Sequence, residues 1–321
     1  METVESLDKG EQTEFSVCPP VRKKKQPRKK VSRLERKEHL IAFLFILPPV
    51  VGFLIFTAMP IVCTFLYSFQ DYKVLTGEAE WIGFENFAKL FGNVLYAPLF
   101  WRSVGNTFIF LLSVPLSMIL GLILAGLLRL GDIKGAKVFQ IMYYLPAVSS
   151  AVALNIVWRY IFQSNGLLNT ILGLGRVYWL GDPTLIKIAI IFKNSINAMG
   201  AAMILYLAGM LNVSKDLYEA ASLDGASRIR QFFSITLPVI SPVTFYLLIT
   251  GLIGGLQSYT DSDVFAGGDP AASTIVFFVW SKGINEHLQG LASSASILLT
   301  VVIMLITLVQ FKLSNKWVYE D

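Results

Sequence analysis

Long apolar runs alternate with shorter polar segments along most of this chain. Six runs are long enough to cross a bilayer, which needs about 20 mostly apolar residues per helix. The runs are continuous rather than alternating, so they favour helices over a membrane β-barrel. The six predicted spans are residues 40–69, 106–128, 139–162, 185–211, 235–259 and 291–313. The pattern predicts an all-α, polytopic membrane helix bundle whose first span is kinked by Pro48, Pro49 and Pro60.

The composition supports a membrane protein. Of the 321 residues, 54% are hydrophobic and only 15% are charged, whereas soluble domains carry about 25% charged residues. This deficit argues against a water-soluble enzyme, a disordered chain or a disulfide scaffold. Cys18 lies in a polar tail and Cys63 inside an apolar run, so neither a disulfide nor a metal site is expected. His39 and His287 are isolated and are interpreted as ordinary surface residues.

Basic residues are distributed unevenly between the polar segments. Residues 22–37 carry ten of the 27 Lys and Arg and a single acid, and segments 129–138 and 212–234 carry three basic residues each. Segment 164–184 has only Arg176, and segment 260–290 has only Lys282 against four acids. Cytoplasmic loops are the ones enriched in Lys and Arg, so both termini and segments 129–138 and 212–234 are predicted to be cytoplasmic, and segment 260–290 is predicted to be an outside loop. The net charge of +5 is therefore assigned to contact with membrane lipid and not with nucleic acid.

The chain is divided at residue 38. Residues 1–38 are predicted to form a disordered cytoplasmic tail that ends in the basic juxtamembrane run, and residues 39–321 the six-helix transmembrane domain. The first span is interpreted as a signal anchor that is not removed. The strings Leu-Pro-Ala-Val-Ser at 145–149 and Leu-Pro-Val-Ile-Ser at 237–241 resemble each other. Either an old duplication or coincidence explains them.

Motifs for nucleotide chemistry are missing from the sequence. It has no Gly-x-x-x-x-Gly-Lys-Ser/Thr loop and no Gly-x-Gly-x-x-Gly fingerprint. No Ser/His/Asp or Cys/His arrangement stands out either. The chain is therefore predicted to be non-catalytic, with no cofactor or metal of its own.

Segment 212–234 differs from a simple connector. Ser214 can cap a short helix, and Gly225 can take the left-handed conformation that ends it. Ser227 can then cap a second helix that carries Phe232 and Phe233 towards the membrane. One face of the first helix, at helical spacing, holds Leu217, Ala220, Ala221 and Asp224. Such a face of small side chains suits insertion into a groove of a partner, although packing on the protein's own bundle is the usual role of a loop helix.

The same segment carries a resemblance to a known family. It resembles the Glu-Ala-Ala loop of ABC importer permeases. The residues that match are Glu219-Ala220-Ala221, Asp224-Gly225-Ala226, Phe232, Ile235, Leu237-Pro238 and Pro242. Two other parts of the chain resemble the sugar-importer subgroup of this family. They are Asn86-Phe87 and the residues Gln310-Phe311-Lys312-Leu313-Ser314, Trp317 and Tyr319. The resemblance covers residues 40–320. Unlike the maltose-type large permease, this chain has six spans and no large outside insert.

The resemblance implies both partners and a mechanism. In the family this loop is the coupling helix, which docks into a cleft of an ATPase subunit, so the implied ATPase-coupling residues are Glu219, Ala220, Ala221, Asp224 and Gly225. The implied partners are a second homologous permease, an ATPase dimer that binds ATP and Mg²⁺, and an extracytoplasmic solute-binding protein. The implied location is a bacterial inner membrane, and the implied cargo is a carbohydrate-like solute.

Polar residues inside the predicted spans are candidates for the solute pathway, because such residues usually face a cavity or another helix. They are Asn155, Trp158, Lys193, Asn194, Asn197, Gln257 and Tyr259. Hydrogen bonding between helices explains each of them equally well. Lys193 would lie roughly 12 Å from the start of its span. It could pair with an acid of the second permease or with an anionic cargo such as a uronic-acid oligosaccharide.

Two other functions stay open at this point. An ion-gradient-driven secondary transporter would need acidic residues within its spans, and the predicted spans contain almost none. A non-transporting membrane assembly protein would need no pathway at all.

Overall fold

The computed structural model describes residues 33–74, 76–130, 135–173 and 175–319. Almost all of the predicted tail and most of its basic run lie outside these residues. The chain divides into two compact units, residues 1–57 and 58–321. In the first unit the structure describes helix α1, Arg33–Phe53, and residues 54–57 after it. A π turn, Leu54–Ala58, follows it in the sequence.

The second unit is built from helices and one small hairpin. Its two short antiparallel strands are β1 (Gln70–Tyr72) and β2 (Ala79–Trp81), with Asp71 opposite Glu80. Its helices are α2 (Met59–Tyr67), α3 (Glu85–Gly92), α4 (Ala97–Phe110), α5 (Ser113–Leu130), α6 (Ala136–Val148), α7 (Ala151–Ile161), α8 (Leu167–Leu172), α9 (Leu185–Leu211), α10 (Lys215–Leu223), α11 (Arg228–Gln231), α12 (Leu237–Val239), α13 (Ser241–Leu256), α14 (Ile275–Trp280) and α15 (Gln289–Ser314).

The predicted spans correspond to helices long and apolar enough to cross a membrane. Within the described residues four run without a sharp bend: Ile41–Tyr67, Ala97–Arg129, Leu185–Leu211 and Gln289–Ser314. The second of them joins α4 and α5 through a short turn at residues 111–112. Two more form only if each bent helix pair is one span, which gives up to six. The bundle is confirmed as helical. The second span begins at Ala97 and not at residue 106, because Pro98 starts a helix there.

The two bent spans were not predicted. Ala136–Val148 meets Ala151–Ile161 at 103°, and Arg228–Val239 meets Ser241–Leu256 at 62°. The two similar Leu-Pro strings lie at these two bends, each with its proline near the end of the first helix of the pair. Proline has no N–H and disturbs the preceding turn, so a break close to each proline is physically expected.

In the first span two prolines lie within a continuous helix. Helix α1 continues through Pro48 and Pro49, and the irregularity is the π turn Leu54–Ala58, shortly before Pro60. Because Pro60 cannot donate to the carbonyl four residues earlier, a local change of helix geometry at that point is the expected response.

Helix α9 is the centre of the second unit and packs against α4, α5, α6 and α13. Small residues allow the close approach: a Cβ added at Gly121 would lie 2.6 Å from Ala202 Cβ, and one at Gly200 would overlap the Tyr143 carbonyl. At the start of α9 the Asp182 carboxylate accepts hydrogen bonds from the N–H groups of Thr184 and Leu185. These bonds hold the pKa of Asp182 below its ordinary value of 3.8.

Two apolar clusters cover the two ends of α9. The first, near Leu185, consists of Phe110, Phe162, Ile186, Ala189, Ile190, Phe265 and Ala272. The second, near Leu211, consists of Ala125, Ala202, Met203, Tyr206, Met210, Val213 and Ile240. The middle of α9, which carries the predicted polar residues, lies between them.

Segment 260–290, which the sequence predicts as a loop, contains regular structure, with π turns at Asp261–Phe265 and Ser281–Asn285 on either side of α14. Its Phe265 side chain completes the first cluster.

Candidate functional site

A cavity of about 690 Å³ lies along the middle of α9, and α5, α13 and the bend between α6 and α7 supply its other walls. Six of the seven predicted pathway residues line it: Asn155, Lys193, Asn194, Asn197, Gln257 and Tyr259. Small residues such as Ala198 and Gly254 leave the space open. Trp158 does not line it and packs among the residues around the first cluster.

Lys193 has its counterion within this chain. Its side chain is 1% exposed, and Nζ lies 2.5 Å from Asp261 Oδ1. The same ammonium donates to Asn194 Oδ1 at 2.8 Å and lies 5.0 Å from the centre of the Phe265 ring. The structure thus gives Lys193 a partner in its own chain, a third possibility beside the second permease and an anionic cargo that the sequence analysis left open.

The Asp261 carboxylate is fully hydrogen-bonded. Besides Lys193, it accepts bonds at Oδ2 from Asn194 Nδ2 at 2.7 Å and from Ser258 Oγ at 2.8 Å. A buried charge is tolerated when it is paired and its remaining lone pairs are satisfied. The cluster joins the middle of α9 to the segment after α13 and adds no net charge to the cavity wall.

Two further predicted residues bind other helices. Asn155 on α7 donates to Thr260 Oγ1 at 3.0 Å, and Trp158 Nε1 donates to Asn197 Oδ1 on α9 at 2.9 Å. In this structure Asn155, Trp158 and Asn194 therefore each donate a hydrogen bond to another segment of the chain. The bond from Trp158 also fixes the direction in which the Asn197 amide points.

Some polar atoms of the cavity wall have no protein partner among the described residues. Asn155 Oδ1 is buried without a hydrogen bond, and Gln257 is exposed at the cavity. The exposed Gln257 amide can bind hydroxyl groups, while Tyr259 and the aliphatic wall can cover C–H surface. Asn155 Oδ1 is closed to solvent and would reach a solute only after its side chain moves. The wall therefore suits a neutral, hydroxyl-rich molecule. The described residues contain no group of three His, Cys, Asp or Glu side chains that could hold a metal ion.

Segment 212–234 folds as its residues predict. Helix α10 begins after Ser214, whose Oγ accepts from the Asp216 N–H at 3.2 Å, and ends before Gly225, which has φ +74°. Ser227 caps α11 by accepting from the Arg230 N–H. Gln231 braces the turn, because its Nε2 donates to Ser222 Oγ at 2.9 Å and to the Ala226 carbonyl at 3.0 Å.

The surface of α10 is mostly open to solvent. Glu219, Ala220 and Asp224 are exposed, and Ala221 is half-buried. Leu223 is 90% exposed and Ile229 73%. An acidic residue, small alanines and exposed large apolar side chains thus share one short region, which is the composition of a docking surface.

One side chain of α10 points the other way. Tyr218 packs against the second cluster, and its hydroxyl lies 2.7 Å from Thr236 Oγ1. The Arg129 guanidinium, at the end of α5, lies 5.4 Å from the centre of the Tyr218 ring and donates to the Met210 carbonyl.

Sequence reasoning missed Asp261 and Tyr218. Asp261 stands two residues after the last apolar span residue of its run, so a search for the counterion of Lys193 among residues at span ends would have found it. No periodicity marked Tyr218, because it lies about 100° around α10 from Leu217, beside the predicted small face and not on it.

Comparisons with known proteins agree with this architecture. Residues 39–318 match the family described as binding-protein-dependent transport system inner membrane component. A probable ABC transporter permease protein, YesP, of Bacillus subtilis is 34% identical, covering 91% of this chain and 96% of that protein. The arabinooligosaccharides transport system permease protein AraP of the same organism is 32% identical, with 86% and 88% covered.

A solved structure is also similar. It is a bacterial ABC transporter involved in the import of the acidic polysaccharide alginate, with a TM-score of 0.78 and 27% identity over 89% of this chain and 99% of the matched one. The family match covers far more than half of the sequence. The chain belongs to the family of inner-membrane permease components of binding-protein-dependent ABC transporters.

Proposed function

We propose that this chain forms one half of the translocation pathway of an ATP-driven importer for a carbohydrate-like solute. The observation that carries the proposal is the 690 Å³ cavity, whose wall combines side-chain amides, hydroxyls and an aromatic ring at the middle of a central span. The similarity to AraP and to the alginate importer supports a saccharide as the solute.

Energy would reach this cavity through segment 212–234. The chain has no nucleotide-binding motif, so ATP and Mg²⁺ would bind to a separate ATPase dimer. Its cleft would receive α10, with Glu219, Ala220, Ala221, Asp224 and Gly225 at the contact. The family's binding protein would deliver the solute from the opposite side. A second permease would complete the pathway.

The proposed cycle follows from this division of labour. ATP-driven closure of the ATPases brings the coupling helices together and opens the pathway to the outside, and hydrolysis restores the inward-facing state. The excess of basic residues in segments 22–37, 129–138 and 212–234 supports a cytoplasmic location for α10 and for both termini.

The test is capture of the ATPase by the complete transporter. Glu219→Lys reverses an exposed charge on α10, and Glu80→Lys makes the same change on the exposed strand β2. We expect Glu219→Lys to lose ATPase and ATP-dependent uptake, and Glu80→Lys to keep both. Equal capture by the two variants would contradict docking through α10. Uptake by the chain alone without ATP would show a secondary transporter instead.

One observation supports the narrower hypothesis of a uronic-acid solute, and another argues against it. The alginate importer is a relative that imports an acidic saccharide, but Lys193 is already neutralised by Asp261. The variant Lys193→Met/Asp261→Asn removes both charges together. Selective loss of charged saccharides would support the uronic-acid hypothesis, and unchanged preference would exclude a role for Lys193 in it.

A further inference from the structure

The Arg129–Tyr218–Thr236 contact connects α10 to three membrane-spanning segments. Tyr218 supplies the α10 side of the contact, and its hydroxyl reaches Thr236 at 2.7 Å in the turn that leads into the fifth span. Arg129 belongs to the inner end of the second span, and the Met210 carbonyl that it binds belongs to the last turn of α9. Tyr218 therefore contacts the second and fifth spans directly, and Arg129 links this contact to the fourth span.

The rest of α10 offers little other attachment to the bundle. Leu217 and Leu223 are exposed, and of the α10 residues only Tyr218 belongs to the residues packed on the second cluster in the described structure. The chain enters α10 through Asn212–Ser214 and leaves it through the left-handed turn at Gly225. Short turns of this kind can bend as hinges, so the backbone alone would not force the spans to follow the helix.

The contact is partly buried. Thr236 is 3% exposed, and the half-buried Arg129 and Tyr218 line a pocket of about 180 Å³ beside it. A guanidinium over an aromatic face and a hydroxyl pair both depend on orientation, so they resist sliding in a way that apolar packing does not.

We propose that Arg129, Tyr218 and Thr236 are positioning residues that make α10 move as one body with the inner ends of the second, fourth and fifth spans. This inference rests on the proposed function, because it assigns the step between ATPase closure and cavity opening. Tyr218 would transmit the displacement without contacting either the ATPase or the solute.

The experiment measures uptake and ATP hydrolysis together, with the complete transporter in lipid vesicles. Tyr218→Ala should keep the ATPase bound and hydrolysing while uptake per ATP falls about tenfold, since both the ring contact and the hydroxyl bond are lost. Tyr218→Phe and Thr236→Val each remove one hydroxyl and should lower the ratio about threefold. The double variant should be no worse than either single one, because both act on one bond.

Tyr246→Phe is the matched control, because it removes a hydroxyl from an exposed tyrosine of the fifth span. It should behave as wild type. If the Tyr218→Ala chain does not fold, the two hydroxyl deletions decide. A wild-type ratio in the Tyr218 variants, or additive losses in the double variant, would overturn the inference, as would loss of ATPase binding by a folded Tyr218→Ala chain. A wild-type transporter that binds no ATPase would instead overturn the proposed function.

Discussion

The middle of α9 and segment 212–234 treat polar groups in opposite ways. Around Lys193 the charged atoms are buried and paired within the chain. Around α10 the charged residues Glu219 and Asp224 are exposed, and the hydrogen bonds are mainly local caps and turn braces. The polar groups of the first region are satisfied within this chain, whereas those of the second are open to solvent, as the proposed docking to an ATPase requires. Substitutions can test the contrast.

Removing the lysine of the buried pair should have the largest effect. Lys193→Met leaves the Asp261 carboxylate without its counterion, and breaking a buried pair in this way costs about 3–5 kcal/mol. The loss is measured as a lower unfolding temperature and a lower yield in detergent. Lys187→Met is the control, since Lys187 is half-buried on the same helix and forms no ion pair with the described residues. Equal stability of the two variants would show that the pair is not formed.

Gly200→Ala tests steric closeness beside the cavity. The added Cβ would overlap the Tyr143 carbonyl, so α6 and α9 must separate. Overpacking of this kind costs about 1–3 kcal/mol. Gly254→Ala on α13 is matched, because nothing lies within 4 Å of its added Cβ. A thermal shift in Gly254→Ala as large as that of Gly200→Ala would contradict the close contact.

Gly225→Ala tests segment 212–234, where an added side chain has room and only the backbone conformation opposes it. Nothing lies within 4 Å of the added Cβ, but φ is +74°. The left-handed conformation costs a residue with a Cβ about 1–2 kcal/mol. We expect faster amide hydrogen exchange in α10, with Gly225→Asn closer to wild type because asparagine tolerates this conformation. Unchanged exchange in Gly225→Ala would mean that the turn can form differently.

Asp182 gives the smallest effect and a defined pH dependence. Its pKa is lowered by two backbone N–H bonds, so its stabilisation of the start of α9 is present above the ordinary value of 3.8 and is lost as the pH falls through the lower folded value. Asp182→Asn should remove this acid dependence of hydrogen exchange at residues 184–188, after correction for intrinsic rates. Persistence of the dependence in that variant would assign it to another group.

The sequence predicted the regular parts of both regions and missed contacts between distant segments. Apolar runs located the spans, and Ser214, Gly225 and Ser227 located the helix ends, because these signals are local. Lys193 and Asp261 are 68 residues apart in the sequence, and no local pattern around either residue predicts their contact. The bends after Val148 and Val239 were missed because the hydrophobic pattern of an apolar run is the same whether its helix is straight or bent.

The exposed tip formed by Leu223 and Ile229 has a consequence for how the protein is made. A copy without a cover for these side chains presents two large apolar groups to water beside the membrane, and such surfaces favour aggregation. Surplus copies would be a burden to the cell. If the proposed ATPase covers these side chains, synthesis of the two proteins should be kept in step, and excess expression of this chain alone should yield material that aggregates or is degraded.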